Sequence, residues 1–186
     1  MIWAKKINRI LLGSLFMLVQ LSASAQNYMA KSVKVRLFSS TPVEDIRAVN
    51  VNAAAVLVGK TREIVVQVPI KGFEFDRKLM QEHFNENYME SDKYPLAKFK
   101  GTIDQQIDFS KDGVYDVKVT GVLTVHGVDQ ARSIPGKVIV SAGAVQILTD
   151  FKVACADHRI KIPTLIITKV AEVINIKLDG QLSLVK

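Results

Sequence analysis

The sequence predicts an all-β protein: a single eight-stranded antiparallel barrel with one or two short helices. Three observations carry this. Apolar and polar residues alternate with period two in eight separate runs, turn residues stand between most of them, and no repeat, low-complexity tract or Gly/Ser/Pro-rich linker divides the chain of 186 residues.

The runs follow in order. Val33, Val35 and Leu37 oppose Lys34 and Arg36; Val51, Ala53, Ala55 and Leu57 are read as one face of a second strand; after a turn at Gly59-Lys60, Ile64, Val66, Val68 and Ile70 form a third. Ala97, Phe99 and Ile103 oppose Lys98 and Lys100, and Lys111-Asp112-Gly113 reads as a hairpin turn. The longest run sets Tyr115, Val117, Val119, Gly121, Leu123 and Val125 against Asp116, Lys118, Thr120 and Thr124, and stops at His126-Gly127. Ile134, Val138 and Val140 lead to a turn at Ala142-Gly143, then come Val145, Ile147, Phe151, Val153 and Cys155, and last Ile174, Ile176, Leu178, Leu182 and Leu184. Two segments break the alternation. Asp76 is placed to cap a short helix with Leu79, Met80, His83 and Phe84 on one face, and Pro163 to Ala171 reads as a second short helix.

Eight antiparallel strands that close on themselves leave no exposed edge. At that strand number the interior is either filled by side chains or holds one small ligand. The Lys/Asp faces belong in water, so the apolar faces point inward, where the small residues Ala53, Ala55, Ala97 and Gly121 would leave volume. The candidate lumen and mouth residues are Val35, Leu37, Val51, Val66, Leu79, Met80, Phe84, Tyr94, Phe99, Val119, Gly121, Leu123, Phe151 and Ile176. The alternative, that bulky residues from facing strands fill the interior, stays open at this level.

Composition narrows the function. Lys5, Lys6 and Arg9 precede an apolar run from Ile10 to Leu21 and the small residues Ala23-Ser24-Ala25, the pattern of a secretory signal peptide. The expected organisation is a signal peptide over 1–25 and one barrel domain over 26–186, exported to the periplasm or secreted. Without residues 1–25 the formal charge falls from +7 to +4, with 22 basic residues against 18 acidic. No Lys/Arg cluster interleaved with aromatics suggests a nucleic-acid surface. The only cysteine, Cys155, alternates with Val153 on an apolar face, so no disulfide frames the fold.

Catalytic chemistry is not written locally. His83, His126 and His158 share no metal-ligand spacing, and no nucleophile elbow, phosphate loop or dinucleotide fingerprint occurs, so neither a metal site nor catalytic residues are expected. His126 is read as a turn or rim residue, His83 as packed on the inner side of the helix, and His158 as part of a charged loop.

Two stretches, "HFNENYMESDKYPLAKFKG" from His83 to Gly101 and "GVLTVHGV" from Gly121 to Val128, resemble the YceI-like, lipid/polyisoprenoid-binding proteins. In that family a helix-borne His leads through an acidic segment to K-Y-P and an aromatic strand, and a G-x-L-T hairpin follows later. The chain departs from the pattern at Asp129-Gln130-Ala131-Arg132 and at Phe38-Ser39-Ser40. The resemblance implies a lipocalin-like barrel that holds a long apolar lipid, a polyisoprenoid or an isoprenoid quinone, with no other cofactor and no catalysis. It also implies that Leu79, Met80 and Phe84 close one end while Tyr94 and Phe99 lead the chain back into the lumen wall. Two other readings compete: a small outer-membrane barrel and, more weakly, an enzyme acting on a barrel-bound lipid. Stable membrane insertion is not expected, and the oligomeric state is left open, a dimer included.

Overall fold

The computed structural model describes residues 26–162 and 170–185. The strands are β1 (Asn27–Ser40), β2 (Asp45–Val58), β3 (Glu63–Pro69), β4 (Glu74–Phe75), β5 (Leu96–Ile103), β6 (Gly113–Val125), β7 (Val128–Ser141), β8 (Ala144–Ala154) and β9 (Val173–Leu184), with helix α1 (Lys78–His83) between β4 and β5. Neighbouring strands pair in the order β1-β9-β8-β7-β6-β5-β3-β2, and β2 pairs back onto β1. The result is a closed eight-stranded antiparallel barrel, as the alternation predicts. The two-residue β4 resumes the path of β3 along the upper part of β2, after a 3-10 turn at Ile70–Gly72.

Tight turns fix the register at both ends. His126 and Gly127 join β6 to β7 with φ of 51° and 70°; Ala142 and Gly143 join β7 to β8 with 50° and 77°. Consecutive left-handed residues make the turn whose twist matches that of the paired strands. The predicted turn at Lys111–Gly113 closes a longer loop from Asp104 to Asp112, which crosses the lower end of the barrel.

Bulges reset the inward face. Tyr28 and Ala30 point inward on β1, but from Val33 onward the odd-numbered residues do, because the register slips between Ala30 and Val33. A compensating slip on β2 turns Asn50, Ala48 and Ile46 inward above it and Ala53, Ala55 and Leu57 inward below. Val51 therefore does not share a face with Ala53: it lies on the outer wall, 47% exposed. One extra residue moves every following side chain to the opposite face. Asn50 holds the bulge together. Fully buried, it accepts a hydrogen bond from the Asn52 N–H at 2.8 Å and donates one to the Pro69 carbonyl at 2.7 Å.

The helix differs from expectation at its start. Arg77, not Asp76, occupies the capping position, and no side chain caps it. After His83 the coil widens into π-type turns over Phe84–Tyr88, closed by the Met89 N–H on the Phe84 carbonyl at 2.9 Å. The second expected helix, over Pro163 to Ala171, falls almost entirely outside the described residues.

Candidate ligand chamber

The interior is divided into two parts. Its lower part is solid: Tyr28, Leu57, Val145 and Leu182 are at most 1% exposed. Phe109, from the loop crossing the lower end, stacks at 5.8 Å on Tyr28, whose hydroxyl donates to the Phe109 carbonyl at 3.3 Å. Above this floor lies a chamber of about 520 Å³ with an almost wholly apolar wall. Both expectations about the interior are thus met, each at one level. Ala53 and Ala55, read as makers of space, belong to the packed core and do not face the chamber; Ala97 does face it.

Every wall strand contributes alternate residues. Val35, Leu37, Val66, Phe99, Val119, Leu123, Phe151 and Ile176 all line the chamber, and Leu79, Met80 and Phe84 line its mouth. Phe84 is anchored by Phe73 at 5.6 Å and Phe75 at 4.9 Å, so three rings hold the helix across the opening. Leu79 sits at the rim, 62% exposed.

Three candidate residues lie elsewhere. Val51 is turned outward by the bulge. Gly121 has the inward parity, but it pairs with Gly101 where β5 and β6 run so close that a Cβ at 121 would stand 2.2 Å from the Lys100 carbonyl oxygen. No side chain fits there, and Val119 and Leu123 line the chamber on either side of it. The ring of Phe99 covers Gly101 from the inside, its tip 2.9 Å from where a Cβ would be. Tyr94 packs outside the lumen on the β6–β7 turn, its ring 4.6 Å from that of His126 and hard against Gly127.

That turn is the hub of a polar clamp. His126 has acceptors on both sides: the His158 carbonyl 3.2 Å from Nδ1 and the Glu90 carboxylate 2.7 Å from Nε2. His158 is fully buried, not in a solvated loop, and its Nδ1 donates to the Val128 carbonyl at 3.1 Å. The clamp joins the segment after the helix, the β6–β7 turn and the 3-10 turn at Cys155–His158. His126 is thus a rim residue, and His83 faces the chamber mouth.

Polar groups gather at the mouth. Ser39, Glu44, Arg77, Tyr88 and Cys155 border it, with Glu44 and Arg77 ion-paired. The buried Ser39 hydroxyl accepts from the Ala171 N–H at 2.9 Å. Burial raises the Tyr88 hydroxyl above its ordinary pKa, with the Cys155 sulfur beside it a second cause. Burial likewise pushes the Cys155 thiol up to about 11, so it stays a neutral thiol at neutral pH. Among the described residues no three His, Cys, Asp or Glu side chains gather as a metal shell. Sequence reasoning missed Tyr88, Glu44 and Arg77, because loop residues carry no periodicity. Ile174, Leu178 and Val153, on the same faces as residues that were singled out, could have been found.

A closed antiparallel barrel with an apolar chamber under a helical cap defines the lipocalin-like class of fold. Residues 23–182 match the YceI-like domain, and the chain belongs to that family. Among solved structures it is similar to a polyisoprenoid binding domain from Saccharophagus degradans, at 12% identity and a TM-score of 0.73, with 87% of this chain and 99% of that one covered. It is also similar to BcnA of Burkholderia cenocepacia, at 14% identity and 0.66, covering 81% and 96%, and to the Campylobacter jejuni YCEI protein, at 16% identity and 0.56, covering 80% and 84%. The comparison with curated proteins finds no match.

Proposed function

We propose that this protein is an exported, non-catalytic carrier or sequestering protein that holds a polyisoprenoid or similar long apolar lipid inside the barrel. The observation that carries this reading is the chamber: about 520 Å³ walled mainly by Val, Leu, Ile and Phe, with Ser39, Glu44, Arg77 and Tyr88 at its mouth. Such a site rewards burial of a hydrocarbon chain, at about 0.8 kcal/mol per methylene, and leaves a polar head at the opening. Membership of the YceI-like family and the likeness to a polyisoprenoid binding domain support the same ligand class. The basic start, short apolar run and Ala23-Ser24-Ala25 support export to the periplasm.

The outer wall argues against a membrane-spanning barrel. Lys34, Arg36, Lys98, Lys100, Asp116 and Lys118 all face outward and are exposed, where a lipid-facing wall needs an apolar band. Mass spectrometry of an organic extract of protein purified without detergent tests the reading. A stoichiometric isoprenoid or comparable single-chain lipid is the expected result; an empty barrel that also fails to bind added prenols overturns it.

A further inference from the structure

The chamber has a packed floor. On β1, β6, β7 and β8 the lining stops one inward position short of a packed residue: below it stand Val33, Tyr115, Val140 and Val145, with Leu182 at the same level on β9 and Tyr28 beneath. These residues come from five of the eight strands, so the stop is not the work of one side chain. From this floor to the mouth, the wall of β8 runs from Ile147 to Cys155. At about 3.3 Å per residue and a strand tilt of about 40°, that depth is roughly 20 Å. If each non-hydrogen atom takes about the 30 Å³ that a water occupies, the volume accepts on the order of twenty atoms.

Resting on the carrier reading above, we infer that the barrel measures chain length: it encloses one prenyl-type chain of about four isoprene units, and any longer chain leaves its remainder outside the mouth. One feature makes the limit firm. Tyr28 and Phe109 stack and hydrogen-bond across the lower end, so the chain finds no exit below.

The test is a displacement titration of the full exported chain with geraniol, farnesol, geranylgeraniol and solanesol. Each added unit should raise affinity at least about tenfold until the chamber is full, because each brings several methylenes out of water. Geranylgeraniol and solanesol should then bind within about threefold of one another. Val117→Phe, which raises the floor from a lining position, should move the plateau to farnesol; Ile64→Phe, from the lining of β3 beside the floor residue Leu57, is the second variant should the first not fold. Affinity that keeps climbing to solanesol, or that ignores chain length while prenols still bind, overturns the length limit and leaves the carrier reading standing. No binding of any prenol overturns both.

Discussion

Leu178 and Leu182 sit four residues apart on one face of one strand, yet they belong to different environments. Leu182 is completely buried in the floor, whereas Leu178 borders the chamber. The floor is packed as protein interiors normally are, with Tyr28, Leu57, Phe109 and Val145 closing on one another. The chamber wall has neighbours on one side only, so its side chains forgo part of the dispersion energy that a packed residue gains. Stability is therefore concentrated at one end of the barrel and binding capacity at the other.

Truncation of the two leucines should separate the floor from the chamber most strongly. Leu182→Ala should destabilise by about 3–5 kcal/mol, since the loss of methylenes is compounded by a new cavity. Leu178→Ala should cost roughly half as much, because its void already exists and only enlarges. Thermal or urea unfolding of the two variants measures the difference, and equal losses would mean the chamber is not empty. Next in size is Asn50→Leu. It strands the Asn52 N–H and the Pro69 carbonyl, both partly buried, and leaves a polar group without its partner away from water at a cost of about 1–3 kcal/mol. A loss of about 1–3 kcal/mol in urea unfolding is expected, with a wall that no longer holds its bulge.

Cys155 borders the chamber at its mouth. Its thiol is raised from 9.0 to about 11, so the folded state holds its proton more tightly than the unfolded state. The resulting stabilisation is complete below pH 9 and is lost as pH rises through 11. Cys155→Ala should flatten that alkaline decline, and alkylation of the native thiol at neutral pH should run far slower than that of an unfolded control. The smallest effect is expected from Arg77→Ala. Its guanidinium is largely exposed beside Glu44, and exposed pairs contribute at most about 1 kcal/mol. The melting temperature should hardly move, while any change in ligand affinity would mark the pair as part of head-group recognition.

Much of the fold was legible because period-two alternation reports which side of a wall a residue occupies. The eight runs became eight barrel strands, and the turns at Gly59, His126-Gly127 and Ala142-Gly143 fell where their chemistry required. The stretch from Val49 to Leu57 misled for a specific reason. Its alternation reads equally well with the valines inside, and only the pairing of Asn50 with Pro69, nineteen residues away, decides that the asparagine turns inward and the valines outward. Gly121 misled differently: its parity was right, but a glycine on an inner face marks a close approach of β5 as readily as it marks space. Tyr94 lies in a loop, where no period constrains direction, and the ring of His126 draws it outside.

By itself, then, the sequence determined the strand count, the closed antiparallel topology, the apolar interior and the resemblance that the family match bears out. These follow from local alternation and turn chemistry, which each segment carries alone. Where the interior is full and where it is hollow is fixed by the assembled barrel. That depends on how residues far apart in the chain meet at one level: Tyr28 with Phe109 below, and Phe84 with Phe73 and Phe75 above. Volume is a property of the assembled cross-section, so no single run of residues could have recorded it.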